Sequence, residues 1–183
     1  GTGLKNIPSP NRYIWADKRI VPKWKKKIGS QKKPLIGLAW EGNPLHKNDY
    51  NRSILLAELI PHLPKKYEYI GLQKDIRESN LKTLKRSSMI DNLIDNNVSM
   101  DDTAAIIENL DIVISVDTSV AHLSASMGKP TWILLPFVPD WRWLLNRNDS
   151  PWYKSVKLFR QEKRGNWELV FKDLNKKLNF LYQ

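Results

Sequence analysis

Residues 111–136 carry the pattern of a strand, a short helix and a second strand, and this pattern constrains the fold more than any other part of the sequence. Two β-branched runs, at residues 112–116 and 131–135, are typical of strands that are buried on both faces. Between them, residues 117–119 are helix-capping types, residues 120–127 are predicted to be helical, and Gly128 suits the position after the helix end. A unit this compact predicts an α/β fold: a Rossmann-like parallel sheet flanked by helices.

Hydrophobic periodicity extends this alternation along the chain. Residues 1–33 are interpreted as an inter-domain linker with a connecting helix, and residues 34–183 as one Rossmann-like domain. Ser53 is predicted to cap the helix that follows it. The further predicted strands cover residues 35–40, 67–72, 89–94 and 156–159, and the further predicted helices cover residues 18–28, 54–62, 76–86, 101–109 and 167–181.

Composition limits the function classes. The 183 residues carry a net charge of +11 and no cysteine, which excludes disulfides and thiolate metal sites. No run is long and apolar enough to predict a transmembrane segment, and the expected location is the cytoplasm. The charge indicates either an acidic partner, such as nucleic acid, or a lysine-rich surface. The lysines are scattered outside residues 23–33, so no specific nucleic-acid partner is predicted.

The turn after the strand at residues 112–116 is the strongest candidate site. Helix N-termini bind anions through free backbone N–H groups, and a parallel sheet places this turn at its ligand-binding edge. A phosphate or pyrophosphate is therefore expected there. An ordinary capped helix with a histidine packed beside the sheet explains the pattern equally well. The candidate residues are Asp117, Thr118, Ser119, Val120 and His122.

A long polar loop at residues 41–53 follows the first strand and is expected at the same sheet edge. Its cationic side chains could neutralise a pyrophosphate, and Arg52 could bind it in a bidentate manner. A solvated surface loop is the alternative. The candidates in this loop are Asn43, His46, Lys47 and Arg52.

Contacts with a base or sugar are expected from residues at the same edge: Trp40, Gln73, Lys74, Asp140, Trp141 and Arg142. The alternatives are exposed turn residues for Gln73 and Lys74, and an aromatic plug for at least one of Trp141 and Trp143. The histidines are too dispersed for a zinc site, so no metal and no cofactor are predicted.

Several motifs together resemble glycosyltransferase family 9, the heptosyltransferase-like enzymes, and more closely a bacterial group in which such a module follows tetratricopeptide repeats. The likeness runs over residues 34–167, although Ser119 stands where the family often has Gly or Ala. The motifs lie at residues 117–130, 37–44, 46–49, 51–53, 72–73, 102–104, 136–137, 139–143, 149–153 and 158–161.

The resemblance implies one half of a GT-B fold, namely the C-terminal, donor-binding domain of an inverting, metal-independent glycosyltransferase. A nucleotide-diphosphate sugar would be its substrate. The N-terminal half, where the family carries its catalytic base and acceptor site, is expected in another segment or partner, together with tetratricopeptide repeats. Whether this chain alone is an enzyme is left open. A non-catalytic interaction module is the alternative function, and a nucleic-acid-binding protein is the third.

Overall fold

Six parallel strands form one sheet. The computed structural model describes residues 1–4 and 6–181. The strands are β1 (Leu35–Ala39), β2 (Glu68–Gly71), β3 (Ile90–Asn92), β4 (Ile112–Val116), β5 (Thr131–Leu135) and β6 (Val156–Arg160). Their spatial order is β3-β2-β1-β4-β5-β6. This is the order of a doubly wound Rossmann-like sheet, so the predicted fold class is confirmed.

Alternate residues of each strand face two separate helical layers. Ile36 and Leu38 of β1 enter the core beneath one layer, whereas Ala39 enters the core beneath the other. Gly37 lies where β1 is tightly covered, because a Cβ there would approach the Cδ1 atom of Leu110 to 2.6 Å. The central strands are thus buried on both faces, which explains their continuous apolar runs.

The helices occupy both faces of the sheet. α3 and α7 cover one face, and α1, α5 and α6 cover the other. Short 3₁₀ turns at Ile60–His62 and Trp141–Trp143 complete the helical structure. The helices are α1 (Val21–Ile28), α2 (Asp49–Arg52), α3 (Leu56–Leu59), α4 (Glu78–Arg86), α5 (Met100–Glu108), α6 (Ser119–Ser126) and α7 (Glu168–Phe180).

α6 begins and ends one residue earlier than predicted, and Gly128 follows the helix end as predicted. Gly128 follows the C-cap residue with φ of 70°, a conformation that glycine adopts without strain. The N–H of Gly128 donates to the carbonyl of Ala125 at 3.0 Å, and the N–H of Lys129 donates to that of Ser124 at 3.1 Å. These two bonds form a Schellman motif, which fixes the exit of the chain into β5.

The predicted cap at Ser53 is wrong. Ser53 lies in extended backbone, and its hydroxyl donates to Asp49 Oδ2 at 2.9 Å. The Leu56 N–H at the start of α3 instead donates to the side-chain oxygen of Asn80 at 2.7 Å. The capping oxygen therefore comes from α4, which a local capping pattern does not reveal.

The segment before β1 packs on the domain. The Trp24 indole of α1 donates from Nε1 to Asp102 Oδ1 of α5 at 2.8 Å. The N–H groups of Tyr13 and Ile14 both donate to the carbonyl of Ser126. The interpretation of residues 1–33 as an inter-domain linker stays a prediction. Within the described residues, none of the helices has the length and apolar character to cross a membrane.

We predict that Trp24→Phe lowers the free energy of unfolding by about 1 kcal/mol near neutral pH, because it removes one hydrogen bond to a carboxylate. That bond is the first cause of the lowered pKa of Asp102, below 3.8, and the bonds with Ser99 also lower it. A carboxylate whose pKa is lowered by folding stabilises the folded state above its unfolded pKa and loses this stabilisation as the pH falls.

The loss in Trp24→Phe should therefore shrink in urea unfolding at about pH 3. Trp152→Phe is the matched control, since Trp152 Nε1 donates to the backbone carbonyl of Arg142, which does not titrate. An equal loss in Trp24→Phe at neutral and acid pH would contradict the role of Asp102.

Candidate functional site

A cleft of about 720 Å³ lies across the carboxyl ends of β1, β2, β4 and β5. The parallel register brings these ends level, since Ala39 of β1 pairs with Ser115 of β4. The loops that follow the strands therefore meet at one edge of the sheet. The predicted residues that line the cleft are Asn43, His46, Arg52, Gln73, Lys74, Asp117, Thr118, Ser119, Val120, His122, Asp140 and Arg142.

The N-terminus of α6 opens into the cleft without a side-chain cap. Thr118 is the N-cap residue, with φ of −140° and ψ of 173°, and its side chain makes no capping hydrogen bond. Its hydroxyl instead lies 3.1 Å from the hydroxyl of Ser115 at the end of β4. Ser119, the first helical residue, is exposed to the cleft. The first turn of α6 can therefore direct backbone N–H groups at an anion.

Arg52 joins the loop after β1 to the turn before α6. Its Nε lies 3.0 Å from Asp49 Oδ1, and its Nη1 donates to the backbone carbonyl of Asp117 at 2.6 Å. Gly42 leaves the space for this arrangement, because a Cβ there would approach Arg52 Nε to 2.6 Å. Arg52 thus lines the cleft, with its Nη1 bound to the Asp117 turn and its Nε bound to Asp49.

Two buried carboxylates within the loop at residues 41–53 hold that loop in place. Glu41 and Asp49 are 3% and 2% exposed, and the guanidinium of Arg77 pairs with both. Glu41 also accepts hydrogen bonds from Trp40 Nε1 at 3.1 Å, from the Arg77 N–H at 3.2 Å and from the amide of Asn80. Since buried charges require partners, these contacts fix the loop rather than leave acidic groups free in the cleft.

His122 lies one turn into α6 and is held on several sides. Its ring stacks on Trp143 with centroids 5.1 Å apart, and its Nδ1 lies 2.9 Å from the hydroxyl of Tyr153. Its Nε2 lies 3.6 Å from Asp117 Oδ1. Trp143 is fully buried, so the prediction that at least one tryptophan of this loop is a packing plug is confirmed.

Asp140 and Arg142 lie in the loop after β5 and line the cleft. Arg142 Nη1 lies 2.8 Å from Asp140 Oδ1, and the Arg142 N–H donates to the same oxygen at 3.0 Å. Burial alone would raise the pKa of Asp140, but the bonds from the Arg142 backbone and guanidinium outweigh it and lower the pKa. Asp140 is therefore a carboxylate at neutral pH, and it holds Arg142 at the cleft.

Some predicted ligand contacts do not fit the structure. Trp40 has no exposed surface and packs in the core, so it cannot reach a base or sugar. Trp141 is 65% exposed but lies outside the cleft, edge-on to Trp152, with ring centroids 6.1 Å apart. Lys47 is exposed on the loop between the cleft residues His46 and Asn48, and its contact with a phosphate stays a prediction.

Gln73 lines the cleft but is a structural clamp. It is 6% exposed, and its Oε1 accepts from the N–H groups of Trp40 and Glu41 at 3.1 and 2.9 Å. Its Nε2 donates to the carbonyls of Glu41 and Asp75. These bonds use both N–H donors and both acceptor positions of the amide side chain. Gln73 therefore joins the ends of β1 and β2 instead of contacting base or ribose. It is not the exposed turn residue of the alternative prediction either.

Sequence reasoning did not identify Glu41, Asp49, Arg77 and Tyr153, which organise the site. A charged residue close to the end of a buried strand, as Glu41 is two residues after β1, is the one local signal for this group. The described residues contain no group of three or more His, Cys, Asp or Glu side chains that could hold a metal ion.

Comparison with known proteins supports the fold. The sequence model of glycosyltransferase family 9 (heptosyltransferase) matches residues 64–135, which span β2 to β5 and include the α6 turn. The structure of ADP-heptose LPS heptosyltransferase II from E. coli superposes with a TM-score of 0.63 at 12% identity, over 96% of this chain. The shared architecture is that of a Rossmann-like portion of a GT-B fold.

A second comparison extends over most of the sequence. Protein FlbA of Caulobacter vibrioides is 27% identical over 171 residues, which cover 88% of this chain. The match spans 28% of FlbA, and the structural match spans 55% of the heptosyltransferase II chain. This chain therefore corresponds to only part of each of these proteins.

We predict that Asp49→Asn lowers the free energy of unfolding by about 3 kcal/mol, because it leaves Arg52 without its carboxylate partner in a partly buried position. The same change should free the Arg52 side chain from its position against Asp117. Urea unfolding measures the first effect, with Asp173→Asn, an exposed position on α7, as the matched control. A loss no larger than that of the control would show that the buried ion pairs do not hold the loop.

Proposed function

We propose that this chain binds a nucleotide-diphosphate sugar as the donor-binding part of an inverting, metal-independent glycosyltransferase. The observation that carries the proposal is the uncapped N-terminus of α6, which opens into a cleft at the carboxyl edge of a parallel sheet. Free N–H groups and the helix dipole favour a diphosphate at that position. The cleft volume of about 720 Å³ is suited to a ligand of that size.

The charges around α6 favour an anionic ligand over a neutral one. The acidic groups of the loop at residues 41–53, Glu41 and Asp49, already pair with arginine side chains. Lys74, in the loop after β2, is exposed and lines the cleft, and His122 faces Asp117 beside the helix start. The diphosphate would therefore lie between the first turn of α6 and Lys74, with its charge stabilised by N–H groups and cationic side chains.

The remaining walls suit the other parts of a nucleotide sugar. Pro136, Val138 and Pro139 give one side of the cleft an apolar surface for a base or sugar ring. Arg142 and the exposed loop residues Asn43 and His46 could donate hydrogen bonds to hydroxyl or phosphate oxygens. The likeness to ADP-heptose LPS heptosyltransferase II, an enzyme named for a nucleotide-diphosphate sugar, supports a nucleotide-diphosphate donor.

In the proposed reaction, the bond between the anomeric carbon and the phosphate oxygen breaks while an acceptor hydroxyl bonds to that carbon from the opposite side. The acceptor proton passes to a base that this proposal assigns to the N-terminal half of a GT-B enzyme. The α6 turn stabilises the negative charge that develops on the leaving nucleoside diphosphate. Attachment to tetratricopeptide repeats and a cytoplasmic location stay predictions.

Substitution at Ser119 tests the central element of the proposal. Proline is tolerated at the first helical position and at a site preceded by extended backbone, and Thr118 is extended. Ser119→Pro should keep α6 but remove one N–H that faces the anion, whereas Ser119→Ala keeps the N–H and is the matched control. Calorimetry with UDP, ADP, GDP and their sugars should show binding weakened at least about tenfold in Ser119→Pro only.

The same titrations decide between the candidate functions. We expect equal affinities with EDTA and with Mg²⁺, because the N–H groups and cationic side chains of the cleft stabilise the phosphates. Absence of binding by every nucleotide would overturn the donor site. Binding without consumption of the donor by the full-length protein would instead identify a non-catalytic interaction module.

A further inference from the structure

His122 can hold its proton on either ring nitrogen, and its surroundings select one. The Tyr153 hydroxyl lies 2.9 Å from Nδ1. Burial, followed by the side-chain hydrogen bond with Tyr13, raises the pKa of Tyr153 to about 12, so the hydroxyl keeps its proton at neutral pH. A phenol hydroxyl can donate to Nδ1 or accept from it, and when it donates, the ring proton of a neutral histidine lies on Nε2.

The groups on the other side of the ring favour the same arrangement. Asp117 Oδ1 lies 3.6 Å from Nε2, and a carboxylate there repels a nitrogen lone pair but attracts an N–H group. Asp140 and Arg142 are the other charged groups near the pair, and they carry opposite charges in contact with each other. The stacked ring of Trp143 holds the imidazole plane, with an angle of 21° between the two rings.

We propose that Tyr153 is a positioning residue for His122: its hydroxyl donates to Nδ1 and thereby places the ring N–H on Nε2, beside Asp117 at the start of α6, where a ligand phosphate can accept from it. The inference rests on the proposed function, since the phosphate is the expected acceptor. It assigns no contact with the ligand to Tyr153 itself. The residue acts through the histidine, from the segment between the Trp141–Trp143 turn and β6.

This arrangement has a physical advantage at the α6 turn. A neutral imidazole is desolvated at less cost than an imidazolium, yet its Nε2–H still donates to an anionic oxygen. Without the Tyr153 hydroxyl, Nδ1 would be a partly buried acceptor with an unmet hydrogen bond, which favours rotation of the ring away from its position. The ring orientation and the nucleotide affinity should therefore both depend on this hydroxyl.

Nitrogen-15 spectra of the histidine rings test the hydrogen bond without any ligand. The chain has three histidines, so the His122 signals can be assigned by comparison with His122→Ala. At a pH where the spectra show a neutral His122, Nε2 should carry the proton and Nδ1 should show the shift of a hydrogen-bonded acceptor. In Tyr153→Phe the Nδ1 signal should move to that of an unbonded nitrogen.

Tyr69→Phe is the matched control. Tyr69 is a buried tyrosine of β2 whose hydroxyl donates to the Pro64 carbonyl, so its substitution should leave the His122 signals unchanged. A wild-type Nδ1 that carries the proton, or an Nδ1 signal that does not move in Tyr153→Phe, would overturn the proposal.

A double-mutant cycle tests whether Tyr153 acts through His122. Tyr153→Phe should weaken nucleotide binding about threefold to tenfold, and it should have no further effect in the His122→Ala background. An equal loss in both backgrounds would indicate a general structural effect and overturn the positioning role. If wild type binds no nucleotide, the proposed function fails, while the nitrogen-15 spectra still decide whether Tyr153 holds the histidine.

Discussion

The bond from Arg52 to the Asp117 carbonyl joins two loops that only the tertiary fold brings together. Its 2.6 Å length fixes the backbone directly before the start of α6, whose free N–H groups face the cleft. Arg52 is itself held by Asp49, which also pairs with Arg77 beside α4. The position of the turn before α6 therefore depends on linked ion pairs and hydrogen bonds among three loops at the carboxyl edge of the sheet.

These contacts also determine the electrostatics of the cleft. Buried carboxylates at Glu41 and Asp49 neutralise Arg52 and Arg77, so these two arginines contribute less free positive charge than the sequence suggests. Positive character in the cleft then comes from the first turn of α6 and from side chains such as Lys74. A preorganised helix terminus stabilises a phosphate without the entropy loss that ordering a long cationic side chain requires.

Strand positions followed from the sequence because strands buried on both faces require continuous apolar runs, as at residues 112–116. The exit of α6 followed as well, since Gly128 adopts a conformation that most residues avoid. The prediction failed where a distant side chain replaced a local one. Asn80 takes the place of a cap at Ser53, and Trp40, which was predicted to contact a base or sugar, is buried in the core.

By itself, the sequence determined the parallel sheet, the edge at which the loops meet and the turn at residues 117–122, because these depend on periodicity and on local backbone preferences. Only the tertiary structure decided what each polar side chain does there. Gln73 and Arg52 bind other loops, and His122 is held by Tyr153 and Trp143. Such partners are distant in sequence, and hydrogen bonds and ion pairs depend on distances that only the folded chain sets.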